Sequence, residues 1–289
     1  MYLVEFLQRV AKKSNAGTII YLILNILIIT YLFSDGFNDP EGFLFGIAAY
    51  AVSLAVALSP VGEFILRLVT GCRDISTDRE AERLQALFKE VHSEVKKKYP
   101  ELPDDIKLFV NDNPSPNAFA IGRKTVCLNK GILGFSDEQI KGIFAHELAH
   151  LAHKDTDLLL VITIGNFIIT AIFFITRVFL RLTGTLVAIV NESFGAWITT
   201  VLLDLVLVAA MALWTKLGVL LVMYSSRQNE YEADKLAAET GYGENLISAL
   251  TELKKYDIAE KGILASLAAS HPDTEDRIAK LKQLLAGGV

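Results

Sequence analysis

The pentapeptide His146-Glu147-Leu148-Ala149-His150 sets two imidazoles four residues apart, with a carboxylate directly after the first. On an α-helix, residues at that spacing are separated by about 40° around the axis and ~6 Å along it, so both rings project from one face. Two neutral ring nitrogens so placed can share one Zn²⁺, while Glu147, about 100° further round, can reach a water on the metal but not the metal itself. A catalytic zinc needs a third protein ligand and one open position. His153 shares the helix face but lies only three residues past His150. The longer zinc motif would put a third histidine at position 156, which is Thr156, so His153 reads as a surface or headgroup-level residue. A second source of ligands is Ser225-Ser226-Arg227-Gln228-Asn229-Glu230-Tyr231-Glu232-Ala233-Asp234. Glu230 and Asp234 are four apart and face the same way on a helix. One carboxylate of the two can ligate zinc while the other accepts the second ring N–H of a ligating histidine and fixes its tautomer. Glu232 reads as solvated.

The elements that must position these groups are legible around them. Ser136-Asp137-Glu138-Gln139 is a capping box that starts the helix carrying Ile140, Ile143, Phe144, the His pair and Leu151. Upstream, Thr77-Asp78-Arg79-Glu80 has the same spacing. Leu84, Leu87, Phe88 and Val91 then recur at helical period, predicting an amphipathic helix from Thr77 to about Lys97. Residues 106–110 read as a short strand, and 117–121 and 125–128 flank Gly122-Arg123-Lys124 as a hairpin. Residues 241–289 read as amphipathic helices over 244–255 and 273–285, covering the catalytic unit.

Composition places this unit in a membrane protein. The 289 residues are 52% hydrophobic and 21% charged, with a mean hydropathy of +0.39, too apolar for an ordinary soluble chain. A net charge of −5 gives no electrostatic support to a nucleic-acid partner. Residues 14–34 and 42–62 are uncharged runs long enough to cross a bilayer. The stretch 158–176, bounded by Asp157 and Arg177, is a third candidate. The fourth, about 197–223, is interrupted by Asp204 and Lys216, which lie on different helix faces and are expected to snorkel separately. Arg9, Lys12 and Lys13 precede the first run, and the loop after it holds Asp35, Asp39 and Glu41 without a basic residue, so the N-terminus and the segment 76–154 are expected on the cytoplasmic side. Arg177 and Arg181, after the third stretch, count against that orientation. Cys72 and Cys127 have no Cys-x-x-Cys partner and read as structural, reduced thiols.

The His pair and Glu230 can meet at one ion only if an even number of crossings separates them, and the third and fourth stretches supply two. The His helix runs almost directly into the third, and Glu230 follows closely after the fourth. Zinc is therefore expected at the membrane surface and not at mid-bilayer.

Taken together, these elements resemble the HtpX family of membrane zinc metalloproteases, relatives of the type I CAAX prenyl proteases. The matching motifs are Asn117-Ala118-Phe119-Ala120, His146 to His150 with His153 and Asp155, Ser226-Arg227 with Glu230 and Asp234, and Ser270-His271-Pro272 followed by Arg277-Ile278. The resemblance implies that His146, His150 and Glu230 bind one Zn²⁺ per chain, that Glu147 is the catalytic base, and that Asp234 supports a ligand from behind. It also implies that Asn117, Ala118, Phe119 and Ala120 form an edge strand that pairs with an extended substrate, and that His271 stabilises the oxyanion. The fold it implies is an α-helical membrane protein with four transmembrane helices plus a mostly α (α+β) gluzincin-like zinc protease domain with a small β-hairpin or sheet. On that plan, residues 1–72 carry two spans, 73–157 the first part of the protease domain, 158–223 a transmembrane hairpin and 224–289 the rest of the domain. The expected partners are polypeptide substrates, membrane proteins above all, and the lipid bilayer. The expected place is the inner (cytoplasmic) membrane, multi-pass, with the catalytic domain and both termini cytoplasmic, in membrane protein quality control. Two rival readings are a CAAX-type prenyl-protein endopeptidase and a membrane scaffold with a structural zinc. The second is disfavoured because closed zinc sites usually include cysteine, and none lies near the His pair.

Overall fold

Apolar and amphipathic stretches separate into two regions in the computed structural model, which describes residues 16–34, 39–77, 79–163, 166–256 and 274–287. The chain runs through α1 (Ala16–Phe33), α2 (Pro40–Ala57), α3 (Pro60–Val69), β1 (Arg73–Asp74), α4 (Ala81–Lys98), β2 (Lys107–Asn111), β3 (Ala118–Ile121) and β4 (Thr125–Asn129). It continues through α5 (Asp137–His153), α6 (Thr156–Thr163), α7 (Phe167–Val190), α8 (Phe194–Glu239), α9 (Gly243–Leu253) and α10 (Thr274–Ala286).

Three helices among the described residues are long and apolar enough to cross a membrane: Pro40–Ala57, Ile168–Val190 and Phe194–Gly218. The first expected span is the shorter apolar helix Gly17–Phe33. The run 42–62 is divided, because Ser59 accepts from the Val61 N–H at 3.1 Å and Pro60 opens a new helix there. The third stretch does not end at Arg177 as expected. Helix α7 continues to Val190, and Arg177 and Arg181 lie within it. The reason is Asp204 on the facing α8, 1% exposed, which takes Arg177 Nε at 2.7 Å and Arg181 Nη2 at 2.6 Å. Asp204 therefore does not snorkel alone; it satisfies two arginines across a helical hairpin whose turn is confined to 191–193. A small apolar core joins α1, α2, α6 and α7 through Leu22, Ile29, Tyr50, Leu54, Val161 and Ile169.

The second region is built on a four-stranded sheet of order β1-β2-β4-β3. The expected hairpin is present as antiparallel β3 and β4, while β2 pairs with β4 in parallel and leaves β3 on the edge. Helix α5 begins at the expected capping box, with the Ser136 hydroxyl accepting from the Gln139 N–H at 3.3 Å and the Gln139 amide oxygen accepting from the Ser136 N–H at 3.0 Å. The helix ends on Lys154, at φ +59°. Helix α4 starts at Ala81 and not at Thr77, because Ile75–Thr77 form a 3₁₀ turn and the Glu80 carboxylate is drawn to Arg83 at 3.0 Å. Arg83 also pairs with Asp137 at 2.7 Å, tying the start of α4 to the start of α5. The core formed by α4, the sheet, α5, the end of α8, α9 and α10 buries Leu84, Val91, Leu128, Phe144, Leu148 and Leu281. Helix α5 is buried nearly all round. Gly142 allows this, since a Cβ there would stand 2.4 Å from the Leu246 backbone nitrogen of α9.

The two regions are joined where the β3–β4 turn sits on α3 and α6. Gly122 turns at φ +57°. The buried Glu63 carboxylate accepts from the Arg123 N–H at 3.1 Å and from the Thr125 hydroxyl at 2.5 Å. Arg123 pairs in turn with buried Asp157 at 2.9 Å, and the Thr156 hydroxyl donates to the Gly122 carbonyl. A Cβ at position 122 would fall 2.4 Å from Glu63 Oε2. Gly122→Ala is therefore expected to cost about 1–3 kcal/mol in stability. It should lower the melting midpoint in detergent, whereas Gly134→Ala, which meets nothing within 4 Å, should not. Equal midpoints for the two variants would show that the turn does not rest on α3.

Candidate metal centre

Helix α5 places His146 and His150 on one side and α8 brings Glu230 against them. The Nε2 atoms of His146 and His150 are 3.2 Å apart. Glu230 Oε2 lies 3.3 Å from His146 Nε2, and Glu230 Oε1 lies 3.3 Å from His150 Nε2. Ligands held ~2.0–2.1 Å from a tetrahedral zinc stand ~3.3 Å from one another, so both the separations and the set of two imidazoles and a carboxylate fit that ion. Among the described residues this trio forms a group able to hold a metal. Glu147, the residue after the first histidine, is buried beside it.

The groups behind the trio fix its orientation. Asp234, one turn after Glu230 on α8, lies 3.0 Å from His146 Nδ1, and Asp155 Oδ2 lies 3.1 Å from His150 Nδ1. Each carboxylate takes the Nδ1–H of its histidine and leaves Nε2 as the donor to a metal. Asp155 can do this because the left-handed Lys154 curls the chain back after α5, with the Asp155 N–H donating to the His150 carbonyl at 2.9 Å. Arg277 of α10, 3% exposed, forks onto Asp234 through Nη2 at 2.6 Å and Nε at 2.9 Å, and its Nη1 lies 3.3 Å from Glu230 Oε2.

These charges shift one another. Burial pushes the Asp234 carboxyl up, but the Arg277 guanidinium outweighs it and holds the group down at about 2. Burial and the Arg277 charge depress His146, yet its bonds to Asp234 and Glu230 prevail and the ring is raised above its ordinary value. His150 is raised well above it, because the Glu230 charge and the Asp155 bond overcome burial. Both shifts favour the protonated rings, so a metal entering the site competes with protons for the imidazole nitrogens.

Of the residues expected from sequence, His146, His150, Glu230, Asp234 and Glu147 come together here. Ala118 and Ala120 are buried in β3 and Phe119 is half-buried; Asn117 precedes the strand, its carbonyl accepting from the Asn129 N–H at 2.8 Å. The strand packs beside α5 at the sheet edge. His271 lies outside the described residues. His153 is not a ligand within the trio; its ring meets Tyr99 edge to face at 5.7 Å. Sequence reasoning assigned no role to Asp155 or Arg277. The signal for Arg277 was a cation four residues before Leu281, on the one face of α10 that is buried.

A family model described as peptidase family M48 matches residues 78–285, from the approach to α4 to the end of α10. The chain belongs to peptidase family M48. Within M48 it is HtpX-like. It is 27% identical over 257 residues to "Protease HtpX" of Shewanella baltica, covering 83% of this chain and 85% of that one. It is also 29% identical over 239 residues to "Protease HtpX homolog" of Neisseria meningitidis, covering 78% and 81%. A solved structure described as Ste24p of S. mikatae is similar at 22% identity with a TM-score of 0.46; the match covers 90% of this chain and 62% of the length of that one.

Removing Arg277 would leave buried Asp234 without its counter-charge, a loss of about 3–5 kcal/mol for such pairs. Arg277→Ala is expected to lower the unfolding midpoint and weaken zinc binding, read by metal titration against a chromogenic chelator, with Arg277→Lys intermediate. Zinc uptake by the metal-free chain should release protons near neutral pH and strengthen as pH rises. Calorimetry in buffers of different ionisation enthalpy checks this, and buffer-independent heats would contradict it.

Proposed function

We propose that this M48 member is a membrane-embedded, zinc-dependent endopeptidase with one Zn²⁺ per chain, hydrolysing misfolded or membrane-associated polypeptides at the cytoplasmic face of the inner membrane. The observation that carries the reading is the closure of two imidazoles and one carboxylate to 3.2–3.3 Å beside buried Glu147. His146, His150 and Glu230 would hold the ion, and the fourth position would be left for reactants, as catalytic zinc requires. Zinc bound there supplies Lewis acidity, polarising the scissile carbonyl and bringing the pKa of an attacking water toward ~7.

The chain's own residues do the rest. Glu147 takes the proton of the attacking water and returns it to the leaving amine nitrogen, a role typically worth ~10²–10⁴ in rate. Asp234 and Asp155 hold the two imidazoles in the tautomer that offers Nε2. Arg277 keeps Asp234 ionised and fixes its position. The free edge of β3, at Asn117, Ala118, Phe119 and Ala120, offers backbone N–H and C=O groups to an extended substrate. His271 is assigned the oxyanion on the resemblance described above. A fourth crossing by α1 and a cytoplasmic active site are supported by Arg9, Lys12 and Lys13 ahead of the first apolar stretch. The basic residues that counted against this orientation, Arg177 and Arg181, pair with Asp204 inside the helical hairpin and do not lie in a loop.

Glu147→Gln should lose at least ~10² of the cleavage rate on an unfolded membrane polypeptide in detergent while keeping its zinc. Unchanged cleavage would remove Glu147 from the chemistry. Glu230→Ala should lose zinc itself, and full occupancy in that variant would mean another group is the third ligand. Inhibition of the wild type by a hydroxamate is expected of an open metal position and not of a closed structural one.

A further inference from the structure

Cys72 and Cys127 stand outside the metal centre, 55 positions apart in sequence, with their Sγ atoms 2.7 Å from each other. Cys72 follows Gly71, which leaves α3 at φ +71°, and is half-buried; Cys127 is fully buried in β4, opposite Phe109 of β2 and Phe119 of β3. A disulfide bond is ~2.05 Å long, and the two sulfurs already touch at 2.7 Å. We infer that Cys72 and Cys127 form a redox modification site, at which a hydroperoxide converts the two thiols into an intramolecular cross-link stapling the end of α3 to an interior strand of the sheet.

The environment divides the roles. The bond from the Cys127 thiol favours the Cys72 thiolate, and against the cost of burial the Thr70 hydroxyl, 3.2 Å from Cys72 Sγ, and the Arg67 charge also lower the Cys72 pKa. The same bond, together with burial, raises Cys127. Cys72 is thus the attacking sulfur and the one open to solvent. Its thiolate attacks the terminal oxygen of a hydroperoxide, the O–O bond breaks, and the sulfur is left as a sulfenic acid with release of an alcohol or water after protonation. Cys127 then attacks that sulfur; the S–S bond forms, hydroxide leaves, and the Cys127 proton completes a water molecule. Two thiols are oxidised and one peroxide is reduced.

Because α3 also carries Glu63, which seats the β3–β4 turn, the cross-link closes a loop of the chain across the junction between the apolar bundle and the sheet. It should raise the unfolding midpoint by several degrees without altering zinc content. The test treats the full-length, detergent-solubilised, reduced protein with dilute hydrogen peroxide and maps it under non-reducing conditions. The expected result is loss of two hydrogen masses, one linked peptide pair containing both cysteines, and reversal by dithiothreitol. In Cys72→Ser, Cys127 should remain an unmodified thiol under the same treatment. A sulfinic acid at Cys72 beside an alkylatable Cys127 would overturn the inference, as would a cross-link between two chains or oxidation of Cys127 in Cys72→Ser.

Discussion

Two helices far apart in sequence must bring three electron-pair donors to within about 3.3 Å of one another, and most of the second region can be understood as the means of doing so. Imidazole nitrogens and a carboxylate crowded together out of water are unfavourable unless each is held by a partner of suitable charge. The chain supplies those partners at every position: Asp155 behind His150, Asp234 behind His146, and Arg277 behind both Asp234 and Glu230. Helix α10 is therefore more than a cover. It delivers the guanidinium that faces both buried carboxylates of α8, Asp234 and Glu230. The burial of α5 nearly all round follows from the same need, and so does Gly142, where the backbone of α9 comes too close to admit a side chain.

The parts of this arrangement that were legible in sequence are those whose information is local. The histidine spacing, the Ser136 box, the β3–β4 hairpin and the apolar runs each depend on residues within a few positions of one another. What escaped was set by distant partners. The start of α4 slipped past Thr77 because Glu80 answers to Arg83, which in turn answers to Asp137. The third apolar helix runs through two arginines because Asp204, on the next helix, neutralises them; read alone, Arg177 is a reasonable end. The parallel pairing of β2 with β4, with the β3 hairpin folded outward, could not be drawn from alternation of side chains. Arg277 stands in a motif of the resemblance, but its role depends on α10 turning it inward onto Asp234 and Glu230, residues more than 40 positions away.

The junction between the two regions shows how the sheet is aimed. Glu63, Arg123, Thr125 and Asp157 form a network around a glycine turn that has no room for a side chain. Buried polar networks of this kind hold one arrangement when every member is satisfied. The edge strand is the next element in chain order before that turn, and its register against β4 is fixed from Ala118 to Ile121. The apolar core linking Ala57, Leu66, Ile121 and Leu160 packs under the same corner, so the position of the strand is tied to α2, α3 and α6 at once.

Helix α8 is unbroken over 46 residues, and at 1.5 Å per residue it is about 69 Å long. It carries Asp204 near one end and Glu230 near the other, 26 positions and so about 39 Å apart. The same helix joins the clasp of the two arginines on Asp204 to the carboxylate beside the imidazoles. The packing of the apolar hairpin and the placement of the carboxylate beside the imidazoles are thus properties of one element, with no loop between them.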